Sequence, residues 1–295
     1  MKVKKAEKGT KVDRVNNELN VQKAKKVKKL KKGNKVIRAQ NGVKAKRLRT
    51  ITSKWVKTKV LLRHPRISCY IPETVKLTNI SLRQMLNKYN MVYIKPERGT
   101  YGNGVIRAEW VKDGNKGSYY KYQVGTVVRK FNTYEAFYAA LCQYKKGRSY
   151  LVQMGIYLLK YQKRRFDIRV MVQRSPVRKW EATGIIGRVA HPGKIVTNYH
   201  SGGTPMAMEK LLAPHLSVIE QRKVLNQMSQ LGVTIGEALQ QKYPNFRQIG
   251  VDIGLDLNMK PWIIEVNTNP DPYIFNKLAN KTMYRKVMKY RKFNG

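Results

Sequence analysis

Apolar residues along this chain switch repeatedly between a spacing of three or four and an unbroken or alternating run, the signatures of helix and strand. Leu82, Met85, Leu86 and Tyr89 fall at i, i+3, i+4 and i+7, which predicts an amphipathic helix capped by Asn79 or Ser81. Met91 to Ile94 then reads as a buried strand. Thr133 can cap a second helix with Phe137, Ala140, Leu141 and Tyr144 on its inner face, and Tyr150 to Met154 is the strand that follows. The first half of the chain thus holds two helix-strand units.

Further on, Ile168 to Gln173 and Ala182 to Ala190 read as neighbouring strands, the first opening after the basic turn Lys160 to Arg165 and the second closing at His191-Pro192-Gly193. A long helix is predicted over Leu216 to Lys242, with Val224, Met228, Leu231 and Ile235 on one face and Pro244 as its stop. The last element is a hairpin, Ile249 to Leu255 and Pro261 to Val266, joined by a turn at Asp256 to Lys260 that Asp256 is suited to hold. Helices and strands in this order predict an α+β architecture rather than a bundle or a sandwich.

Charge changes the picture. The 295 residues carry 61 Lys and Arg against 17 Asp and Glu, a formal charge of +44. Residues 1–50 hold 19 of those cations, only Glu7, Asp13 and Glu18 as acids, and no aromatic residue, so they are expected to form a basic, disordered arm. The other 245 residues keep 42 cations and 14 acids, so the excess is not confined to the arm. An anionic polymer such as nucleic acid, met through the basic arm, is the expected partner. Apolar runs such as Val60 to Leu62 fall far short of the roughly 20 residues of a membrane span, and no apolar segment follows the charged start, which predicts a cytoplasmic address. Cys69 and Cys142, outside any CxxC pattern, are expected to be buried reduced thiols.

Two segments carry candidate chemistry. In VYIKPERGTYGNGV (92–105) a strand delivers Lys95, and Gly99, Gly102 and Gly104 punctuate the loop after it. Glycines let a backbone turn its amides toward an anion, and a lysine supplies a point charge for phosphate. In GVDIGLDLNMKPWIIEVNTNPD (250–271) the scarce acids cluster: Asp252 and Glu265 sit on the two strands of the hairpin, and Glu265 shares a face with Asn267. Two carboxylates and an amide oxygen suit a hard cation such as Mg²⁺, held jointly with nucleotide phosphates. Simple pairing of these acids with the abundant cations is the alternative.

The order of these motifs resembles the ATP-grasp superfamily from about Lys54 to Phe275. FDIRVMVQ (166–173), WEATGIIGRVAHPGKIVTNYHSGG (180–203) and EVNTNPD (265–271) resemble its YheC/YheD family, described as endospore coat-associated, and the order of DIR, R-x-A, N and GG is also similar to ribosomal-protein glutamate ligases. The resemblance implies an ATP-grasp fold of two α+β subdomains clasping a nucleotide: 51–155 as the N-terminal and lid part, 156–278 as the C-terminal part with the metal site, and 279–295 as a basic tail or helix. It implies ATP and Mg²⁺ as cofactors, a carboxylate-amine ligase working through an acyl-phosphate on an unknown carboxylate and an unknown nucleophile, and an acidic spore component as the alternative to nucleic acid for the basic arm. By the same resemblance Lys54, or its neighbours Lys57 and Lys59, and Lys95 would touch phosphates, and Gly99 to Gly104 would form the lid loop. Gln153 would lie on the strand that reads adenine, and Asp167 near the ribose. Arg169 and Arg188 would face the γ-phosphate, Asn198 the acceptor, and Asp252, Glu265 and Asn267 the metal. Gly250 stands where many relatives place an arginine, a charge that Arg188 or Arg169 would supply. His191 and His200 flank the Asn198 loop and could assist acceptor deprotonation.

The rival reading is a non-catalytic polyanion-binding or structural spore-layer protein on the same fold. Its support is the charge and the stretch Asn276 to Gly295, with seven Lys and Arg, no acid, and Tyr284, Tyr290 and Phe293 among them.

Overall fold

The computed structural model of the protein describes residues 50–114 and 117–294. The basic arm read at residues 1–50 lies, up to residue 49, outside them. Two short helices come first, α1 (Lys54–Leu62) and α2 (Pro65–Ser68), followed by β1 (Thr74–Lys76), α3 (Asn79–Tyr89) and β2 (Met91–Pro96). Then follow β3 (Ile106–Asp113), β4 (Gly117–Val124), β5 (Val127–Phe131), α4 (Tyr134–Lys145), β6 (Tyr150–Met154), β7 (Lys160–Tyr161), β8 (Arg164–Arg174) and β9 (Trp180–Val189). The chain ends with β10 (Thr204–Met206), α5 (Met208–Leu212), α6 (Val218–Lys242), β11 (Gln248–Leu255), β12 (Pro261–Asn267) and α7 (Thr282–Asn294).

The strands form two antiparallel sheets, ordered β1-β6-β2-β3-β4-β5 and β10-β9-β8-β11-β12, the latter with β7 paired to β8. Helices α3 and α4 cover the first sheet, burying Leu82, Met85, Leu86, Phe137 and Leu141 against Val92, Ile94, Ile106 and Val152. The cap of α3 is Thr78, one residue before Asn79, because Thr78 and Ser81 form a reciprocal capping box. Thr133 caps α4 as the sequence indicates. The meander β3 to β5 shows no clean alternation in sequence, since tyrosines, valines and cations are interspersed along strands whose side chains are mostly half-exposed or exposed.

One face of the second sheet packs on α6, whose Met228, Leu231 and Ile235 meet Val170, Val172 and Val251. Two mid-helix glycines permit the close crossing: a Cβ at Gly232 would come within 2.9 Å of Val172, and one at Gly236 within 2.9 Å of Trp180. Helices α1 and α2 also join this core through Leu61 and Ile67, although in sequence they precede the first sheet. On the opposite face, Phe275, Ile274 and Val287 of the C-terminal segment cover Met171 and Ile186, leaving the rest of that face to the cavity described below. The thiols differ from expectation: Cys69 is exposed and Cys142 half-buried, because both lie on outward-turned helix ends or faces.

Phe275 is the main anchor of the C-terminal segment, fully buried against Gly184. Phe275→Ala is expected to lower stability by about 3 to 5 kcal/mol, measured by denaturant unfolding.

Candidate functional site

Strand register sets the site. Asp252 of β11 lies opposite Glu265 of β12 on one side and opposite Arg169 of β8 on the other, while Asp167 of β8 lies opposite Arg188 of β9. Directly opposed residues point to the same side of an antiparallel pair, and Asp167 and Arg169 are two apart on β8, so two adjacent rows on one face of the sheet present these groups together. A bulge keeps the Asp252 row intact: after Asp252 the pairing passes from Glu265 to Ile263, and Ile264 is the extra residue.

Four of these side chains form a buried charge cluster. Arg169 donates through Nε and Nη2 to the two oxygens of Asp252, and Arg188 donates to both oxygens of Asp167, at 2.8 and 2.5 Å, and lies 3.1 Å from Asp252 Oδ2. Asn267 adds its Nδ2 to Oδ2 of Asp252 at 3.3 Å. A carboxylate has about four lone-pair sites; three of these donors crowd onto Oδ2 and one onto Oδ1, so Oδ2 is saturated and Oδ1 keeps one site. Burial works against its charge, but Arg169 and Arg188 outweigh burial and hold its pKa down at about 2. Burial likewise opposes the charge of Arg188, and Asp167 and Asp252 overcome it and raise its pKa. Gly250 makes room for this arrangement, since a Cβ there would come within 3.2 Å of Arg169 Cδ and 2.8 Å of Pro270. Arg169 therefore lies across the position where the sequence lacks an arginine.

The first sheet contributes the lysines. Lys95 ends β2, buried, with Nζ 2.5 Å from Gln153 Oε1 and 3.5 Å from the carbonyl of the bulged Ile264, so it reaches from one sheet to the other. Gln153 in turn donates to Thr74 Oγ1 at 3.1 Å, so its side chain orients Lys95. Burial pulls the Lys95 pKa down to about 8, against the opposing pull of Glu265. Ser53 caps α1 and its hydroxyl donates to Glu97 at 2.6 Å, which docks the start of α1 beside the end of β2. Lys54 then points to the carbonyl of Gly99 at 2.9 Å and to Glu265 at 3.5 Å. Lys57, one turn on, is buried beside it and has its pKa lowered by burial, with Glu265 opposing. Of the three early lysines, Lys54 and Lys57 line the cavity, whereas Lys59 is exposed over the Trp55 ring.

Gly99, Gly102 and Gly104 all adopt positive φ (150°, 75° and 74°), a conformation that favours glycine. The loop they shape rests on the segment around Asn198: a Cβ at Gly102 would lie 3.0 Å from Asn198 Oδ1, and Ser201 Oγ donates to the carbonyl of Tyr101 at 2.8 Å. Lysines, glycine loop, charge cluster, Glu265, Asn267 and Asn198 all line one cavity of about 570 Å³, with Met154, Ile156 and Leu158 as part of its apolar wall. That volume lies in the ordinary range for a small-molecule site. Of the site residues singled out from sequence, Gly104, which sits against Pro96 and Tyr150, Lys59 and His191 are not in the cavity lining, and the others are brought together there. Those the sequence reading missed are the apolar wall of Met154, Ile156 and Leu158, at and after the end of β6, and Tyr199, whose aromatic character beside the flagged His200 was its only signal.

A YheC/D-like ATP-grasp family model matches residues 47–292. The chain belongs to this family. Among curated relatives it is 25% identical to endospore coat-associated protein YheD of Bacillus subtilis (strain 168), over 77% of this chain and 50% of the relative. It is 23% identical to YheC of the same organism, over 75% of this chain and 61% of the relative. The chain therefore spans between half and two thirds of the curated relatives it matches. Similar solved structures include Aspergillus clavatus carboxyaminoimidazole ribonucleotide synthase complexed with ATP (15% identity, 76% of this chain and 46% of that one, TM-score 0.46). Another is the C-terminal domain of K. lactis Pby1, an ATP-grasp enzyme (16% identity, 81% of this chain and 69% of that one, TM-score 0.45). As a member of the family the chain has the ATP-grasp fold, and its two sheets with the cavity between them are that fold here. No helix among the described residues is long and apolar enough to cross a membrane.

Since the folded-state pKa of Asp252 is depressed, its contribution to stability is complete above about pH 4 and is lost as pH falls through about 2. Asp252→Asn should therefore show a smaller drop in melting temperature between pH 5 and pH 2.5 than the wild type. Arg188→Met, which strips a buried partner from Asp167, should cost about 3 to 5 kcal/mol at neutral pH in the same measurement.

Proposed function

We propose that this protein binds Mg-ATP and acts as a carboxylate-amine ligase. The observation that carries the reading is the convergence, in one cavity, of a buried lysine, a glycine loop, two guanidiniums and an oxygen-donor pair. The carboxylate of one substrate attacks the γ-phosphorus of ATP, ADP leaves, and an amine or similar nucleophile then displaces phosphate from the acyl-phosphate. Lys95 and Lys54 offset phosphate charge, the loop at Gly99 to Gly104 turns amides toward it, and Met154, Ile156 and Leu158 offer an apolar surface to the base. Arg169 and Arg188 provide fixed positive charge beside the transferring group, where a preorganised, water-poor setting makes it most effective. Asn198 faces the same space from the acceptor side.

The donor chemistry fits Mg²⁺ at Glu265 and the Asn267 amide oxygen, both hard ligands on one strand face. Asp252 joins them through Oδ2 only if Asn267 or a guanidinium gives up its bond to that oxygen. When bound, the metal supplies a Lewis acid that neutralises charge shared between the β- and γ-phosphates. Residence in the mother cell or spore is part of the proposal, and only its association with the endospore coat is carried over from the names of the relatives.

A second reading, nucleotide binding without turnover, is favoured by one observation, the crowding of Asp252 Oδ2 by two arginines and Asn267. Titration calorimetry with Mg-ATP, followed by phosphate release over a panel of carboxylates and amines, decides between them. Release that Glu265→Gln abolishes supports the ligase. Binding without release against every pair supports the second reading, and no heat with Mg-ATP sinks both.

The lowered pKa of Lys95 adds a pH signature. Phosphate favours the protonated amine, so Mg-ATP affinity should be constant below about pH 8 and fall above it, by up to tenfold per unit, with uptake of a proton on binding. Lys95→Arg should flatten that profile in the same calorimetric experiment.

A further inference from the structure

The C-terminal helix carries charge that nothing in its own sequence neutralises. Lys281, just before α7, and Arg285, Lys289 and Lys292 within it fall at i, i+4, i+8 and i+11, an exposed stripe roughly 16 Å long. Like charges at i, i+4 repel, and no acid occurs between Asp271 and the end of the chain to relieve them. The helix is held instead by Val287, which is fully buried, and by Tyr290, whose hydroxyl donates to Glu181 at 2.6 Å. None of the four cations is ion-paired among the described residues.

Two further cations, off this stripe, lie against tyrosines, one of which lines the cavity. Arg291 of α7 lies 5.9 Å from the ring of Tyr273, and Lys277 lies 5.5 Å from the ring of Tyr199, which lines the cavity. Tyr273 and Tyr199 are exposed by 55% and 39%. One acid, Asp271, sits on the rim these tyrosines form, where His200 approaches it at 3.9 Å and the Tyr273 amide donates to it at 2.9 Å. We propose that the carboxylate substrate is an acidic polypeptide, laid along the α7 stripe and the tyrosine rim with one of its carboxylates entering the cavity. The choice rests on the ligase reading, because one such chain supplies both the negative charge for the stripe and the carboxylate for the cavity. A single-stranded nucleic acid has no carboxylate and needs open ring faces for stacking, whereas a cation covers one face of Tyr199 and of Tyr273 and His200 meets Tyr199 at 72°.

The test uses the full chain and fluorescein-labelled probes in about 0.1 M salt: a peptide of twelve glutamates, one of twelve glutamines, and a twelve-nucleotide oligothymidylate. The expected result is that the glutamate peptide binds best of the three and that the double variant Arg285→Glu, Lys289→Glu weakens it about tenfold or more, with Mg-ATP affinity unchanged. The N-terminal cations are common to both proteins, so the difference belongs to α7. Glutamate-peptide binding unaffected by the double variant, or matched by either of the other probes, overturns the proposal. Phosphate release is read separately with the glutamate peptide, Mg-ATP and ammonium. Loss of binding in the double variant without any release in the wild type keeps the docking surface, overturns the peptide as substrate and counts against the ligase reading itself; release lost in Tyr199→Ala, Lys277→Ala supports the rim.

Discussion

Everything at this site depends on keeping Asp252 charged where water cannot reach it. A buried carboxylate is costly unless guanidiniums and amides replace its hydration, and here they come from three different strands. Arg169 can reach it only because β8 pairs with β11 in one register, and Arg188 only because β9 pairs with β8 in another. A slip of one residue in either pairing would turn the guanidinium to the α6 side of the sheet and leave a buried charge alone. The electrostatics of the cavity and the topology of the second sheet are therefore one constraint.

The same logic explains the join between the sheets. Lys95 belongs to the first sheet but is surrounded by groups of both, Gln153 from its own and the Ile264 carbonyl from the other. A buried ammonium with so few acceptors is held short of full stabilisation, which is why its pKa falls. Anionic phosphate would complete its surroundings. In a chain so rich in cations, what distinguishes the few at the cavity is that they are dry.

Much of this was legible from the residues. The hairpin could be read because Asp256 holds its turn, accepting from the amides of Asn258 and Lys260, and the placement of Asp252 and Glu265 on its two strands followed from it, whereas their direct opposition depends on the extra residue Ile264. The stripe Met228, Leu231, Ile235 marked α6 because a helix on a sheet needs one apolar face. Less legible was α1, KWVKTKVLL, whose lysines resemble a solvated segment although Lys57 is buried. Nor could sequence show that Arg169 and Arg188 close on Asp252, since that depends on register across strands far apart in the chain and on Gly250 giving Arg169 its space. The thiol of Cys69 was misjudged for a related reason: average burial of a residue type says little about a position just past a four-residue helix.

The extra residue in β12 has a consequence for how this molecule can change over time. In a regular strand the alternation of sides is rigid, so the identity of a core residue and the direction of a catalytic one are locked in phase. Ile264 works like a dislocation in a crystal row: on one side Ile263 and Ile253 keep step with the apolar core, and on the other Glu265 and Asn267 keep step with Asp252 and Gly250. The two halves of the hairpin are mechanically decoupled at that point. Core packing beneath α6 is then free to drift, residue by residue, while the polar row facing the cavity stays in alignment.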